Sequence, residues 1–331
     1  MLKRFVRRLV VDQLQRQESL RTRLHRLLND AENGTSGMAE TESVPIVEAP
    51  PAEPVEPPLP EGVVQSIHLE YPVRPRCRFP ESQSYPEVYR ILNAGRERYR
   101  QWLASFNQFQ QFFLTIPKNP DPEQPSEPYW LNGFMENLDP IALYSLVALH
   151  KPKRYVEIGS GNSTKFVRRA IRDHDLKTTI TSLDPNPRAE IDSICDRCLR
   201  ISLEDSDLTL FQELEEGDIV FMDGSHRVFP NSDATVFFLE VLPALQPGVL
   251  VQIHDIKLPY DYPEEWSLRF YSEQYLLAGF LLGGTEQFEV LLPHALVTYD
   301  DDLKSVLQPI FADPYMAELR ISGASFWVRK R

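Results

Sequence analysis

Asp223, Gly224, Ser225 and His226 close the run GDIVFMDGSH, and His254 and Asp255 close GVLVQIHD. Both groups follow a short apolar stretch, where the chain would leave a buried strand. Carboxylates and imidazoles gathered at neighbouring strand ends can do several kinds of chemistry. Carboxylate oxygens bind a hard divalent cation, which lowers the pKa of a bound hydroxyl. An imidazole with a pKa near 6.5 collects a proton at neutral pH. Two histidines and a carboxylate also spell the facial triad of an Fe(II) oxygenase, and a purely structural role for these side chains stands beside the chemical ones.

A second cluster precedes them. Glu157-Ile-Gly159-Ser160-Gly161-Asn162-Ser163-Thr164 follows the apolar run RYVEI, with two glycines that let the backbone turn tightly against a ligand before a helix opens at Ser163 or Thr164. Asp184 closes TITSLD, 23 residues past Gly161, where a carboxylate can accept hydrogen bonds from a ribose diol. Together they indicate a nucleotide-like ligand. A dinucleotide fingerprint would place a third glycine at Thr164 and no carboxylate beside the pyrophosphate. Glu157 repels phosphate and suits a cationic cofactor, which disfavours a nicotinamide-dependent oxidoreductase.

The elements that must position these residues alternate. After Pro152 come RYVEI, TITSLD, CLRIS, DIVFMD, GVLVQIHD, QFEVLL and SFWVRK, with helices expected around 163–174, 205–214, 232–245, 264–282 and 301–311. Alternating strand and helix predicts an α/β fold, a doubly wound and mostly parallel seven-stranded sheet with its ligand at the strands' carboxyl ends. Upstream, residues 63–150 read as a helical lead-in, with an aromatic-faced helical stretch from Tyr85 to Ile116 and a helix capped at Asp139 with Pro140 at its first position. Residues 31–62 hold seven Glu and no basic residue, and with seven prolines between Pro45 and Pro60 they read as a disordered linker. Residues 1–30 carry apolar positions at helical spacing with arginines between, an amphipathic helix suited to docking on a protein or on an anionic membrane surface.

The fragments RYVEIGSGNSTKF, GDIVFMDGSHRV and LPALQPGVLVQIHDI, together with an expected strand pair after an extra helix, give residues 152–331 a resemblance. This segment resembles class I S-adenosylmethionine-dependent methyltransferases, in particular their bacterial small-molecule and sugar O-methyltransferase branch. The resemblance implies that Glu157, Gly159 and Gly161, with Asn162, line the methionine end of S-adenosylmethionine. It implies that Asp184 holds the ribose, and that Glu204 and Gly224 lie near the adenine. It also implies that Asp223 and Asp255 bind Mg²⁺ and that His226, three residues after the first acid, takes the proton of the acceptor hydroxyl. The sequence departs from the pattern at His254, where an acid or amide is usual. A nitrogen ligand does not suit Mg²⁺, so His254 either points away, coordinates a softer ion such as Mn²⁺ or Fe²⁺, or serves as a base without metal.

Composition limits the alternatives. The 331 residues carry a net charge of −13, with +5 on residues 1–30, −7 on 31–62 and −11 on the remainder. A body this acidic argues against nucleic-acid binding, and a small-molecule or glycan acceptor fits better. Cys77, Cys195 and Cys198 are too few for a disulfide framework and are expected as thiols, and Cys195-Asp-Arg-Cys198 lacks the further ligands zinc would need. With neither an apolar span nor a signal-like start, the expected location is the cytoplasm, with peripheral membrane association open to residues 1–28. Tyr262, Trp266, Arg269 and Tyr271, in the stretch after the fifth strand, are the candidates for shaping an acceptor pocket. A degenerate, non-catalytic methyltransferase fold recruited through its N-terminal helix is the non-enzymatic alternative.

Overall fold

The runs IVFM and LVQI are buried at every position, the pattern of strands covered on both faces. They are the central strands β4 (Ile219–Met222) and β5 (Leu250–Ile253) of the computed structural model, which describes residues 70–80, 83–284 and 286–331. The expected helix at 1–30 and linker at 31–62 lie outside the described residues, as does the start of the lead-in. β1 (Arg154–Ile158), β2 (Thr179–Leu183), β3 (Arg197–Leu199), β6 (Phe288–Pro293) and β7 (Phe326–Lys330) complete one sheet. Its order is β3-β2-β1-β4-β5-β7-β6. The first five strands pair in parallel, and β7 runs antiparallel between β5 and β6. The order reverses at β1 and β4, which places the switch point beside the two clusters that carry chemistry.

The helices preceding the sheet are part of its core. α1 (Pro86–Asn93) and α2 (Arg96–Phe106) bury Val88, Leu92, Tyr99, Leu103 and Phe106 in the cluster that also holds Phe221 of β4 and Trp327 of β7, so no structural boundary falls at residue 150. The two helices separate at Gly95, where any Cβ would collide with the Tyr99 ring. α3 (Leu138–His150) buries eleven of its thirteen residues and is apolar almost all round, as a helix enclosed by protein must be. α4 (Asn162–Asp173) follows β1 and packs against α3.

Three expected helices differ from what forms. Over 205–214 there is a 3₁₀ turn at Leu203–Asp205 and one helical turn at Thr209–Gln212. Ser202 donates to Asp205 there, and Asp207 accepts from the Thr209 N–H, local bonds that compete with a helix. Over 264–282, a 3₁₀ segment Glu264–Arg269 ends at Phe270 in the left-handed region (φ 55°), and α5 (Glu273–Gly283) begins after it. The turn is held by Ser272 N–H donating to the His226 carbonyl at 2.8 Å. The 301–311 helix divides into Asp301–Ser305 and Gln308–Phe311, with Pro309 opening the second. Over 232–245 the chain is helical, with a π turn at Phe237–Val241.

Candidate active site

The sheet's register sets the site. Ile158, Met222 and Ile253 are cross-strand partners at the carboxyl ends of β1, β4 and β5, so Gly159, Asp223 and His254 leave the sheet at one level. The ladder continues one step beyond, with Asp223 N–H donating to the Ile158 carbonyl and His254 N–H to the Met222 carbonyl, both at 2.9 Å. Gly159 has φ +77°, and a Cβ on it would collide with the Asp223 carbonyl oxygen. Only glycine lets the β1 loop lie this close to β4.

Asp184, at the end of β2, ties that loop down. Its Oδ2 accepts from Ser160 N–H at 2.8 Å and its Oδ1 from Asn186 N–H at 2.7 Å. Each carboxylate oxygen keeps a further lone pair for a ligand. Asp184, Gly159, Ser160, Glu204, Asp223 and Gly224 all border one cleft of about 400 Å³, a volume typical of small-molecule sites. Glu204 contributes an Oε2 that is buried and has no hydrogen-bond partner. Gly224 is small for a local reason, because a Cβ there would run into the Asp233 carboxylate, which accepts from Ser225 N–H at 2.6 Å and fixes the β4 loop.

Glu157 differs from expectation. Its side chain is fully buried and absent from the cleft wall. Oε1 accepts from Tyr155 Oη–H at 2.9 Å, and Oε2 accepts from the Thr164 hydroxyl, whose oxygen in turn accepts from Gly161 N–H. Burial pushes its carboxyl up to about 7, against the lowering effect of the hydroxyls around it. Glu157 is thus a buried brace between β1 and the start of α4, and Gly161 and Asn162 form the turn it supports.

Where β4 and β5 end, two histidines and two aspartates converge. Asp223, His226 and Asp255 present ligand atoms within 4.8 Å of one another. His226 Nε2 lies 3.3 Å from Asp223 Oδ1 and 3.5 Å from Asp255 Oδ2, while His254 Nδ1 lies 3.3 Å from Asp223 Oδ1 and 3.6 Å from Asp255 Oδ1. Behind them stand two buried carboxylates. Glu273 Oε1 lies 2.6 Å from His226 Nδ1, and Asp139 Oδ2 lies 3.5 Å from His254 Nε2. Burial alone would lower the histidines' pKa values, but the surrounding carboxylates outweigh it and hold both well above the usual imidazole value. Burial likewise raises Asp223, and the two imidazoles more than reverse this, leaving it below the usual carboxylate range. His226 (φ 61°) and Asp255 (φ 54°) both occupy the left-handed region, a conformational cost that clusters at functional sites.

Asp139 corrects the sequence reading. The cap position of α3 is Asn137, and Asp139 sits within the first turn, wholly buried. Its Oδ1 lies 2.6 Å from His294 Nδ1 and accepts from the Ser325 N–H at 2.9 Å. Glu273 and Asp139 carried no sequence signal, because one lies inside a stretch read as an acceptor loop and the other resembles a helix cap.

A second cavity of about 290 Å³ adjoins the cluster, bordered by Tyr262, Trp266, Tyr271 and Tyr275, with Arg76 and Cys77 also on its wall. Tyr271 packs on His226 with ring centroids 4.4 Å apart, and Arg269 lies over Trp266 at 4.6 Å. The Tyr262 hydroxyl is buried without a hydrogen-bond partner. Cys195 and Cys198 are half-buried and unbridged. Among the described residues no helix is long and apolar enough to cross a membrane.

Residues 156–256 match the family model of a methyltransferase domain. No curated protein matches the chain. Among solved structures, the SAH-bound methyltransferase PaMTH1 of Podospora anserina is 15% identical, covers 70% of this chain and 88% of its own, and superposes with a TM-score of 0.37. The O-methyltransferase from Bacillus cereus in complex with SAH is 12% identical over 70% of this chain and 90% of its own, with a TM-score of 0.36. A methyltransferase from Geobacter sulfurreducens is 16% identical over 60% and 80%, with a TM-score of 0.33.

Proposed function

We propose that the chain is a class I S-adenosylmethionine-dependent methyltransferase that methylates a hydroxyl group of a small molecule or glycan. The observation that carries the reading is that the β4 loop borders one cavity and touches the wall of a second. Residues 223–225 border the cleft with Asp184 and Glu204, and Tyr271, on the wall of the aromatic cavity, packs against His226.

In this reading the first cleft holds the cofactor. Asp184 accepts from the ribose hydroxyls, Glu204 supplies its unpartnered oxygen to a donor on the base, and the Gly159-to-Asn162 turn lies along the amino-acid portion. When bound, the cofactor supplies a methyl group on a sulfonium sulfur, open to in-line displacement. A divalent ion on Asp223 and Asp255, whose donor chemistry suits one, would acidify the acceptor hydroxyl. The chain's own contribution is alignment of the reacting centres and exclusion of water, effects worth several kcal/mol when the geometry is fixed. The aromatic cavity orients the acceptor, with Trp266 and Tyr271 as apolar walls and the Tyr262 hydroxyl as a hydrogen-bonding group. The acidic charge of residues 63–331 supports a small acceptor over nucleic acid.

Calorimetric titration of S-adenosylhomocysteine into wild type, Gly161→Val and Asp184→Ala tests the reading. A Cβ at Gly161 meets nothing within 4 Å, so lost affinity in that variant reports on the ligand and not on crowding within the protein. Each substitution is expected to weaken binding at least tenfold, about 1.4 kcal/mol. Unchanged affinity in both would remove the cofactor assignment.

A further inference from the structure

We infer that the acceptor carries an oxyanion, a carboxylate or a phosphate, and that Arg76, Arg227 and Arg269 at the aromatic cavity hold it. This names a substrate class for the methyl-transfer reading and rests on that reading for the use made of the cavity, though not for the binding of the anion.

The walls of the cavity place the three arginines. Arg76 is part of the wall, in the strap Pro75-Arg76-Cys77 that faces Tyr262, Trp266 and Tyr271 across the hollow. The Arg269 guanidinium lies 4.6 Å from the Trp266 ring centroid and 5.7 Å from that of Tyr271, and the Arg227 guanidinium lies 5.4 Å from the Tyr271 centroid. A guanidinium laid against an aromatic ring is held in orientation while its N–H edge stays free for a ligand. Arg227 also donates Nε–H to the Arg269 carbonyl at 2.9 Å and Nη1–H to the Ser225 carbonyl at 3.0 Å. Ser225 borders the cofactor cleft, so Arg227 ties the cavity wall to the loop beside that cleft.

None of the three has a carboxylate partner among the described residues. Arginines elsewhere on this acidic body find one readily, as Arg96 does at Asp300, Arg172 at Glu127 and Arg168 at Asp196. The carboxylates nearest the cavity are engaged otherwise. Asp261 Oδ2 accepts from Arg78 N–H at 2.9 Å, and its Oδ1 accepts from Tyr262 N–H at 3.0 Å and from the Tyr275 hydroxyl. Glu264 accepts from Cys77 N–H at 2.7 Å, and Glu265 borders a neighbouring hollow. The positive charge gathered here therefore lacks a counter-charge from the chain, and a planar fork of N–H donors matches carboxylate and phosphate oxygens.

A second observation points the same way. Tyr262 is 5% exposed, stands in the cavity wall, and its hydroxyl has no hydrogen-bond partner. Burial, with Glu273 nearby, keeps its proton in place, so it stands as a donor wanting an acceptor.

The full chain, saturated with S-adenosylhomocysteine so that the cofactor's own carboxylate does not compete, is titrated calorimetrically with matched ligands. Glucose is set against glucuronate and glucose 6-phosphate, and phenol against 4-hydroxybenzoate. At least one anionic member is expected to bind about tenfold or more tighter than its neutral counterpart, and the favoured anion distinguishes a carboxylate-bearing acceptor from a phosphate-bearing one. Arg76 and Arg269 are exposed, so raising NaCl from about 20 to 300 mM should shrink the advantage. Arg269→Gln and Arg76→Gln, whose side chains make no hydrogen bond in the fold, should each lower anion affinity about threefold and leave the neutral ligands unchanged. The inference is overturned if no pair shows an anion preference, absence of saturable binding at about 20 mM included, or if the preference survives both substitutions combined. S-adenosylhomocysteine binding by the same samples reads the cofactor assignment separately: its absence would remove the methyl-transfer reading, and the anion preference is then still read from the same titrations.

Discussion

Glu273 and His226 are 47 residues apart in sequence and 2.6 Å apart in the fold, joining the first residue of α5 to the loop that leaves β4. Glu273 is fully buried, and its burial raises its own carboxyl above the usual value even with His226 beside it. The contact fixes the segment bearing the aromatic cavity against the segment bordering the cofactor cleft.

Gly159 and Gly161 are expected to respond differently to the same substitution. Gly159→Ala puts a side chain into a left-handed conformation and against the Asp223 carbonyl, so a loss of about 2–4 kcal/mol is expected from conformational cost and overpacking together. Gly161→Ala enters open space and should leave stability within about 0.5 kcal/mol of wild type. Urea denaturation of both variants distinguishes them, and equal losses would contradict the close approach of the β1 loop to β4.

Glu157 makes stability depend on pH with a defined sign. Its carboxyl is held at about 7 in the fold, above its ordinary value, so the folded protein keeps a proton that the unfolded chain gives up. Stability from this group should fall as pH rises from about 4.5 to 7, reach its full penalty of about 3 kcal/mol above that window, and stay flat. Glu157→Gln removes the dependence. Thermal scans of wild type and variant between pH 5 and 9 should show a gap in the variant's favour that widens up to neutrality, and a gap that narrows with rising pH would contradict the assignment.

The Tyr262 hydroxyl is buried without a partner, so Tyr262→Phe should leave the unliganded protein as stable as wild type or slightly more so. The same change should weaken an acceptor that hydrogen-bonds there. Unfolding scans check the first half, and Trp266 fluorescence during titration with simple hexoses and phenols checks the second. A marked loss of stability in the phenylalanine variant would show that the hydroxyl already has a structural partner.

Much of this architecture was legible in the sequence. Apolar runs such as IVFM and LVQI announced the buried strands, and the glycines of the β1 loop together with Asp184 marked the end of the sheet where a cleft forms. Asp223, His226, His254 and Asp255 stood out because chemistry-bearing residues directly follow those runs. Long-range pairing was not legible. Glu273 reaches His226 because Phe270 turns the chain left-handed ahead of a new helix, and Asp139 meets His294 through the contact of the first turn of α3 with residues 322–325 and 294. The burial of Glu157 is not legible for a related reason, since sequence places it beside a glycine loop but does not say on which side of that loop its carboxylate lies. Local side-chain bonds at Ser202, Asp205 and Asp207 defeated the helical periodicity of 205–214.

The most direct test of the central claim is a side-by-side calorimetric titration of the full chain with S-adenosylhomocysteine and with NAD. The cleft bordered by Gly159, Asp184, Glu204 and Gly224 is predicted to bind S-adenosylhomocysteine at one site per chain and to show no measurable heat with NAD, whose pyrophosphate has no glycine at Thr164 to approach. Saturable NAD binding with no response to S-adenosylhomocysteine would contradict the account.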